Sequence, residues 1–101
     1  MPITVKIVPA EPKTKKRYTA VFRLHKGGKV IKVTHFGQRG ATTYIDGADK
    51  KKRSAFRARH KRDLKTKDFK RAGFLSMGLL WGDNTTLKKN IEDYKKKFNL
   101  D

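Results

Sequence analysis

The residues most able to do chemistry are cations. Residues 50–71 hold twelve Lys and Arg against two Asp, a net +10 within 22 positions. They include Lys50, Lys51, Lys52, Arg53, Arg57, Arg59, Lys61, Arg62, Lys65, Lys67, Lys70 and Arg71. Lys13, Lys15, Lys16 and Arg17 form a second, smaller run. Such a density repels itself, and a polyanion or counterions must compensate. Its natural chemistry is neutralisation of a phosphate backbone, where release of condensed counterions supplies affinity without any reading of bases. The chain as a whole carries 27 Lys and Arg against 9 Asp and Glu, a formal +18. More than half of that excess lies in about a fifth of the length.

Other chemistries find few residues. There is no cysteine, so disulfides, thiolate metal sites and thiol nucleophiles are excluded. His25, His35 and His60 stand far apart with no HxxxH spacing, so no metal site is expected. Gly27-Gly28 precedes a strand pattern rather than a helix, and Gly37-x-x-Gly40 is too short for a nucleotide-binding loop. Ser54 and Ser76 lack a nucleophile-elbow context, and no carboxylate pair stands out for acid–base work. The expectation is a non-enzymatic protein with no catalytic residues, no cofactor, no metal and no small-molecule substrate. Most aromatic residues fall in apolar alternation and are expected in the core. Phe69, between Asp68 and Lys70, is the best candidate for an exposed ring. This favours duplex binding over stacking on unpaired bases.

The elements that must carry these cations are legible from periodicity. Ile3, Val5 and Ile7 alternate with polar residues and predict a strand ended by Pro9. Tyr18, Ala20, Phe22 and Leu24 predict a second, and Val30, Ile31, Val33 and Phe36 a third. Gly27-Gly28 between them suggests a two-residue hairpin with both glycines at positive φ. A short fourth strand is expected over residues 42–45, and a flexible loop over residues 9–16. Asp46 or Asp49 caps a predicted helix from about Ala48 to Arg62. At 100° per residue its basic face holds Lys50, Arg53, Arg57 and Lys61, opposite Ala48, Ala55 and Phe56. Arg59 falls toward the apolar side, where an ion pair with Asp46 or Asp93 competes with phosphate contact. The apolar run over residues 72–81 is a buried helix or turn-rich core piece, and Leu87, Ile91, Tyr94 and Phe98 space a last helix. The expected fold is α+β: a three- to four-stranded antiparallel meander, then two or three helices on one face.

At 101 residues the chain has room for one domain, residues 1–46 forming the β half and 47–101 the helical half. Apolar residues are 36% of the chain, enough for only a small core. No apolar run is long enough to span a bilayer, and the first residues lack a signal-peptide pattern, so secretion is not expected.

Several motifs follow one another along the chain: Phe36-Gly-x-x-Gly40, Arg53-x-x-Phe56-x-x-Arg59-His60, Ala72-Gly-Phe-x-Ser76 with Leu79-Leu80-Trp81, and Leu87-x-x-x-Ile91-x-Asp93-Tyr94 with Phe98. This series, spanning residues 2–100, resembles a family of small, uncharacterised basic proteins encoded by large nucleocytoplasmic double-stranded DNA viruses. The resemblance implies a viral origin and a place in the virion or the viral factory of the host cytoplasm. It names no catalytic residue. Together these readings predict a sequence-independent double-stranded DNA-binding protein acting in genome condensation or packaging. The phosphate contacts would come from Lys50, Lys51, Arg53, Arg57, Arg59, Lys61, Arg62, Lys65 and Lys67, extended by Lys15, Lys16 and Arg17. Two alternatives stand beside it: a minor structural component of the virion that binds capsid proteins or an anionic membrane face, and an RNA- or ribosome-binding protein.

Overall fold

Alternation in the first half builds a sheet with one apolar face. A computed structural model describes residues 3–101; Met1 and Pro2, within the expected β half, lie outside the described residues. Strand β1 (Thr4–Pro9) pairs antiparallel with β2 (Lys16–Arg23), and β2 pairs antiparallel with β3 (Val30–Gln38), in the order β1-β2-β3. Val5 lies opposite Phe22, Ile7 opposite Ala20, and Tyr18 opposite Phe36. Period-two geometry therefore puts Val5, Ala20, Phe22 and Phe36 on one face, where all four are buried. Val33, on the other face, is exposed, as are Leu24, Val30 and Ile31 near the β2–β3 turn.

Two turn-level expectations are corrected. The β2–β3 connection is a four-residue loop: Leu24 N–H donates to the Lys29 carbonyl and Gly28 N–H to the His25 carbonyl. Only Gly27 takes positive φ (74°), while Gly28 packs against the His25 ring. No fourth strand forms over residues 42–45. Instead Tyr44–Asp46 make one 3-10 turn, because the Asp46 carboxylate accepts from both the N–H (2.9 Å) and the hydroxyl (2.7 Å) of Thr43. The backbone closes locally too, with Asp46 N–H and Ala48 N–H donating to the Thr43 carbonyl. Local side-chain bonds have satisfied donors that a ladder would have used.

Helix α1 (Lys50–Arg59) starts at Asp49, whose side chain accepts from Lys52 N–H at 2.8 Å. It is shorter than the expected 48–62 span: the chain tightens into a 3-10 run, Lys61–Thr66, that ends at Lys67 with φ of 54°. Helix α2 (Ala72–Leu75) passes directly into a π-helical turn, Ser76–Leu80. Helix α3 (Leu87–Lys97) is capped by Thr86, and its expected stripe faces inward, with Tyr94 buried and Leu87, Ile91 and Phe98 half-buried. Phe74, Leu75, Leu79, Leu80, Trp81 and Tyr94 join the sheet face in one core. The sheet followed by helices is an α+β arrangement, with the core between the sheet's inner face and α2, its π-turn and α3.

The α2–α3 connection is fastened by Asn90, which is 2% exposed. Its Nδ2 donates to the carbonyls of Leu79 (2.9 Å) and Asn84 (3.0 Å), and its Oδ1 accepts from Asn84 N–H (3.0 Å). Gly82 is required beneath it, since a Cβ there would stand 2.2 Å from the Gly78 carbonyl oxygen. At the far side of the sheet, Val5 N–H donates to the Asp101 carbonyl and Asp101 N–H to the Ile3 carbonyl, covering the open edge of β1.

Candidate nucleic-acid interface

The cations divide by what surrounds them. Arg53 and Arg57, one turn apart on α1, point inward to the carbonyl end of the α2 π-turn rather than outward with Lys50. Arg53 Nε donates to the carbonyls of Gly82 (2.9 Å) and Trp81 (3.2 Å), and one terminal nitrogen meets Asp83 Oδ1 at 2.8 Å. Arg57 Nη1 donates to the carbonyls of Trp81 (2.8 Å) and Met77 (3.1 Å). These carbonyls close a helical segment, so they carry the negative end of its dipole and lack intrahelical donors. Burial, reinforced by the neighbouring Arg53, lowers the Arg57 pKa from its ordinary value. The expected basic face therefore separates: Lys50 is exposed, Arg53 and Arg57 bind the fold, and Lys61 lies beyond the end of α1.

Arg17 is also engaged internally. Its guanidinium forms a bidentate pair with Asp46. The Arg17 bond is the largest cause holding the Asp46 carboxyl well below the usual carboxylate range, and burial opposes it. Asp46 is thus the partner of Arg17, not of Arg59. Arg59 is exposed and has no carboxylate within 4.0 Å, and Asp93 accepts instead from Asn84 Nδ2.

The other predicted contact residues are open to solvent. Lys15, Lys16, Lys50, Lys51, Arg59, Lys61, Arg62, Lys65 and Lys67 are all exposed. Among the described residues, only Arg17, Arg53, Lys70 and Arg71 of the Lys and Arg lie within 4.0 Å of a carboxylate. The positive field of the remainder has little internal compensation.

Folding brings the two cationic runs together. A groove of about 590 Å³ opens between the β1–β2 loop and α1. Lys15 and Lys16 line it from one side, Lys52, Arg59 and His60 from the other. Three parallel rings border it: Phe56 stacks on Trp81 (4.3 Å between centroids, 10° between planes) and on His60 (4.1 Å, 26°). Phe56 is half-buried and Trp81 buried, while the His60 side chain is 44% exposed. Asp63 is the one carboxylate in the lining, and its Oδ2 lies 3.4 Å from His60 Nδ1.

The loop carrying Lys15 and Lys16, expected to be flexible, is held by a residue that sequence reasoning did not single out. Arg39 Nη2 donates to the carbonyls of Lys16 (3.1 Å) and Glu11 (3.2 Å), and its Nε to that of Thr14 (3.3 Å). The Arg39 N–H donates to the Lys15 carbonyl at 3.0 Å. One signal was available: Arg39 sits between Gly37 and Gly40, a turn pattern in the sequence, and both glycines take positive φ in the structure.

Phe69, the expected exposed ring, is half-buried. It packs on Phe98 and Phe22, with Lys70 over its face. Its carbonyl accepts from the buried Tyr94 hydroxyl, whose pKa is raised by burial and further by Asp68. The aromatic group that borders the cationic groove is instead the His60–Phe56–Trp81 stack. Among the described residues no group of three His, Asp or Glu converges as a metal site, and no helix is long and apolar enough to cross a membrane.

Comparison with known proteins places residues 5–60 in a family of unknown function, DUF5754, and the chain belongs to that family. No curated protein and no solved structure matches the chain.

Proposed function

We propose that this member of a family of unknown function binds nucleic acid by neutralising backbone phosphates, without reading base sequence. The observation that carries the reading is the exposed, carboxylate-free set of Lys15, Lys16, Lys50, Lys51, Arg59, Lys61, Arg62, Lys65 and Lys67. Holding so many like charges on a small fold is unfavourable, and an anionic backbone removes that cost. Three of the twelve expected contacts, Arg17, Arg53 and Arg57, are bound within the fold, so the reading rests on the other nine. The likeness of the ordered motifs to small basic proteins of large DNA viruses supports a role in genome condensation or packaging.

A salt titration with a short labelled DNA duplex tests this. If six phosphates are engaged, log K falls with log salt at a slope of about −5, and a slope shallower than about −2 refutes neutralisation. Structured RNA and anionic liposomes serve as competitors at matched salt. Stronger competition by liposomes than by either nucleic acid would identify a lipid surface as the ligand.

A further inference from the structure

The groove between the β1–β2 loop and α1 combines two features that a phosphate-only surface does not need. Its rim carries Lys15, Lys16, Lys52 and Arg59, none within 4.0 Å of a carboxylate. One side is bordered by parallel rings ending at His60, whose outer face bears no further ring. At about 590 Å³ it falls within the range of small-ligand pockets, roughly 300–1,000 Å³. A planar base carries a π-face that stacks on such rings, and its attached phosphates meet the cations at the rim.

We propose that this groove takes an unpaired nucleotide of a single-stranded nucleic acid, the base stacking on the outer face of His60 and the flanking phosphates lying on Lys15, Lys16, Lys52 and Arg59. The inference rests on the nucleic-acid reading above and adds a single-strand contact to it. Phe56 and Trp81 back the His60 ring and fix its plane. The stacking contact is indifferent to base identity, so the lack of sequence reading is preserved.

The test compares a labelled single strand with an abasic strand of equal phosphate number, at fixed salt, using the full chain. Stacking of one base predicts that the intact strand binds more tightly by about 5- to 150-fold. His60→Ala removes this advantage, and His60→Phe, which keeps a flat ring, retains it. Equal affinity for the two strands overturns the groove proposal while a steep salt slope leaves phosphate neutralisation standing. An advantage that survives His60→Ala also overturns it, since the base then stacks elsewhere. Failure of both strands to bind with any salt dependence overturns the groove and the nucleic-acid reading together. A second measurement needs no variant. The His60 ring protons lie beneath the stacked base, so a nucleoside monophosphate moves their NMR resonances upfield where inorganic phosphate does not. No difference between these two probes would count against the proposal even if His60→Ala failed to fold.

Discussion

Replacing Arg57 with alanine separates a structural arginine from a phosphate-binding one. Arg57 Nη1 donates at 2.8 and 3.1 Å to two carbonyls at the closing end of the α2 π-turn. Hydrogen bonds from a charged donor are worth about 1.5–3 kcal/mol each. Two effects reduce the sum: Arg57 is only half-buried, and its removal relieves repulsion from Arg53, which donates to the same Trp81 carbonyl. A net loss of about 2 kcal/mol follows. For a domain of this size that corresponds to a fall in Tm of roughly 8–16 °C. Urea denaturation followed by Trp81 emission measures it, because the tryptophan sits beside the lost contact. Duplex binding at temperatures where the variant is folded should keep its salt slope. Arg62→Ala is the mirror case: Arg62 is exposed without a carboxylate partner, so stability changes by less than about 0.5 kcal/mol, and the salt slope falls by about 0.9 if a phosphate contact is lost. An Arg57→Ala protein with an unchanged urea midpoint and a slope shallower by about 0.9 would refute the division of the cations drawn from the structure.

Three further outcomes are expected. Asp46→Asn destabilises the protein at neutral pH, and the gap from wild type closes as pH falls below about 4, where the unfolded carboxylate gains its proton. The sign follows from the lowered Asp46 pKa in the Arg17 pair, whose stabilisation is present above the unfolded value and lost toward acid, as urea midpoints across pH would register. Asn90→Ala strands the Leu79 carbonyl and the Asn84 N–H in a buried region and costs about 2–3 kcal/mol, measured by chemical denaturation. Arg39→Ala frees the loop bearing Lys15 and Lys16, raising amide hydrogen exchange over residues 11–16 and weakening single-strand binding, while α3 exchange is unchanged.

Much of the fold was legible in local pattern. Alternation placed β1, β2 and β3 because a half-buried sheet requires period two, and the Leu87–Phe98 stripe placed α3 because a helix requires spacings of three and four. The misses fall where a short-range bond overrides pattern. Residues 42–45 have strand-like composition, yet the Asp46 carboxylate caps Thr43 and turns the chain. Helix α1 stops at Arg59 although its cationic pattern continues, because the backbone tightens at His60 into a 3-10 run. The candidate site was legible as charge and not as shape. Arg53 and Arg57 share a helical face with Lys50, but a wheel carries no information on a carbonyl terminus arriving from residues 77–82.

By itself, the amino-acid sequence determined the sign and size of the charge, its concentration in residues 50–71, the absence of thiol chemistry and the α+β order of elements. These are sums or local periodicities, and they hold whatever the chain packs against. Tertiary structure alone decided which cations remain exposed. Arg17 meets Asp46 across 29 positions and Arg53 meets Asp83 across 30. It also brought Lys15 and Lys16 opposite Lys52 and Arg59, and set His60 at the end of a ring stack. The physical reason is range: a guanidinium takes whichever acceptor lies within about 3 Å, and that neighbour is chosen by how the sheet and helices bury their apolar faces rather than by proximity along the chain.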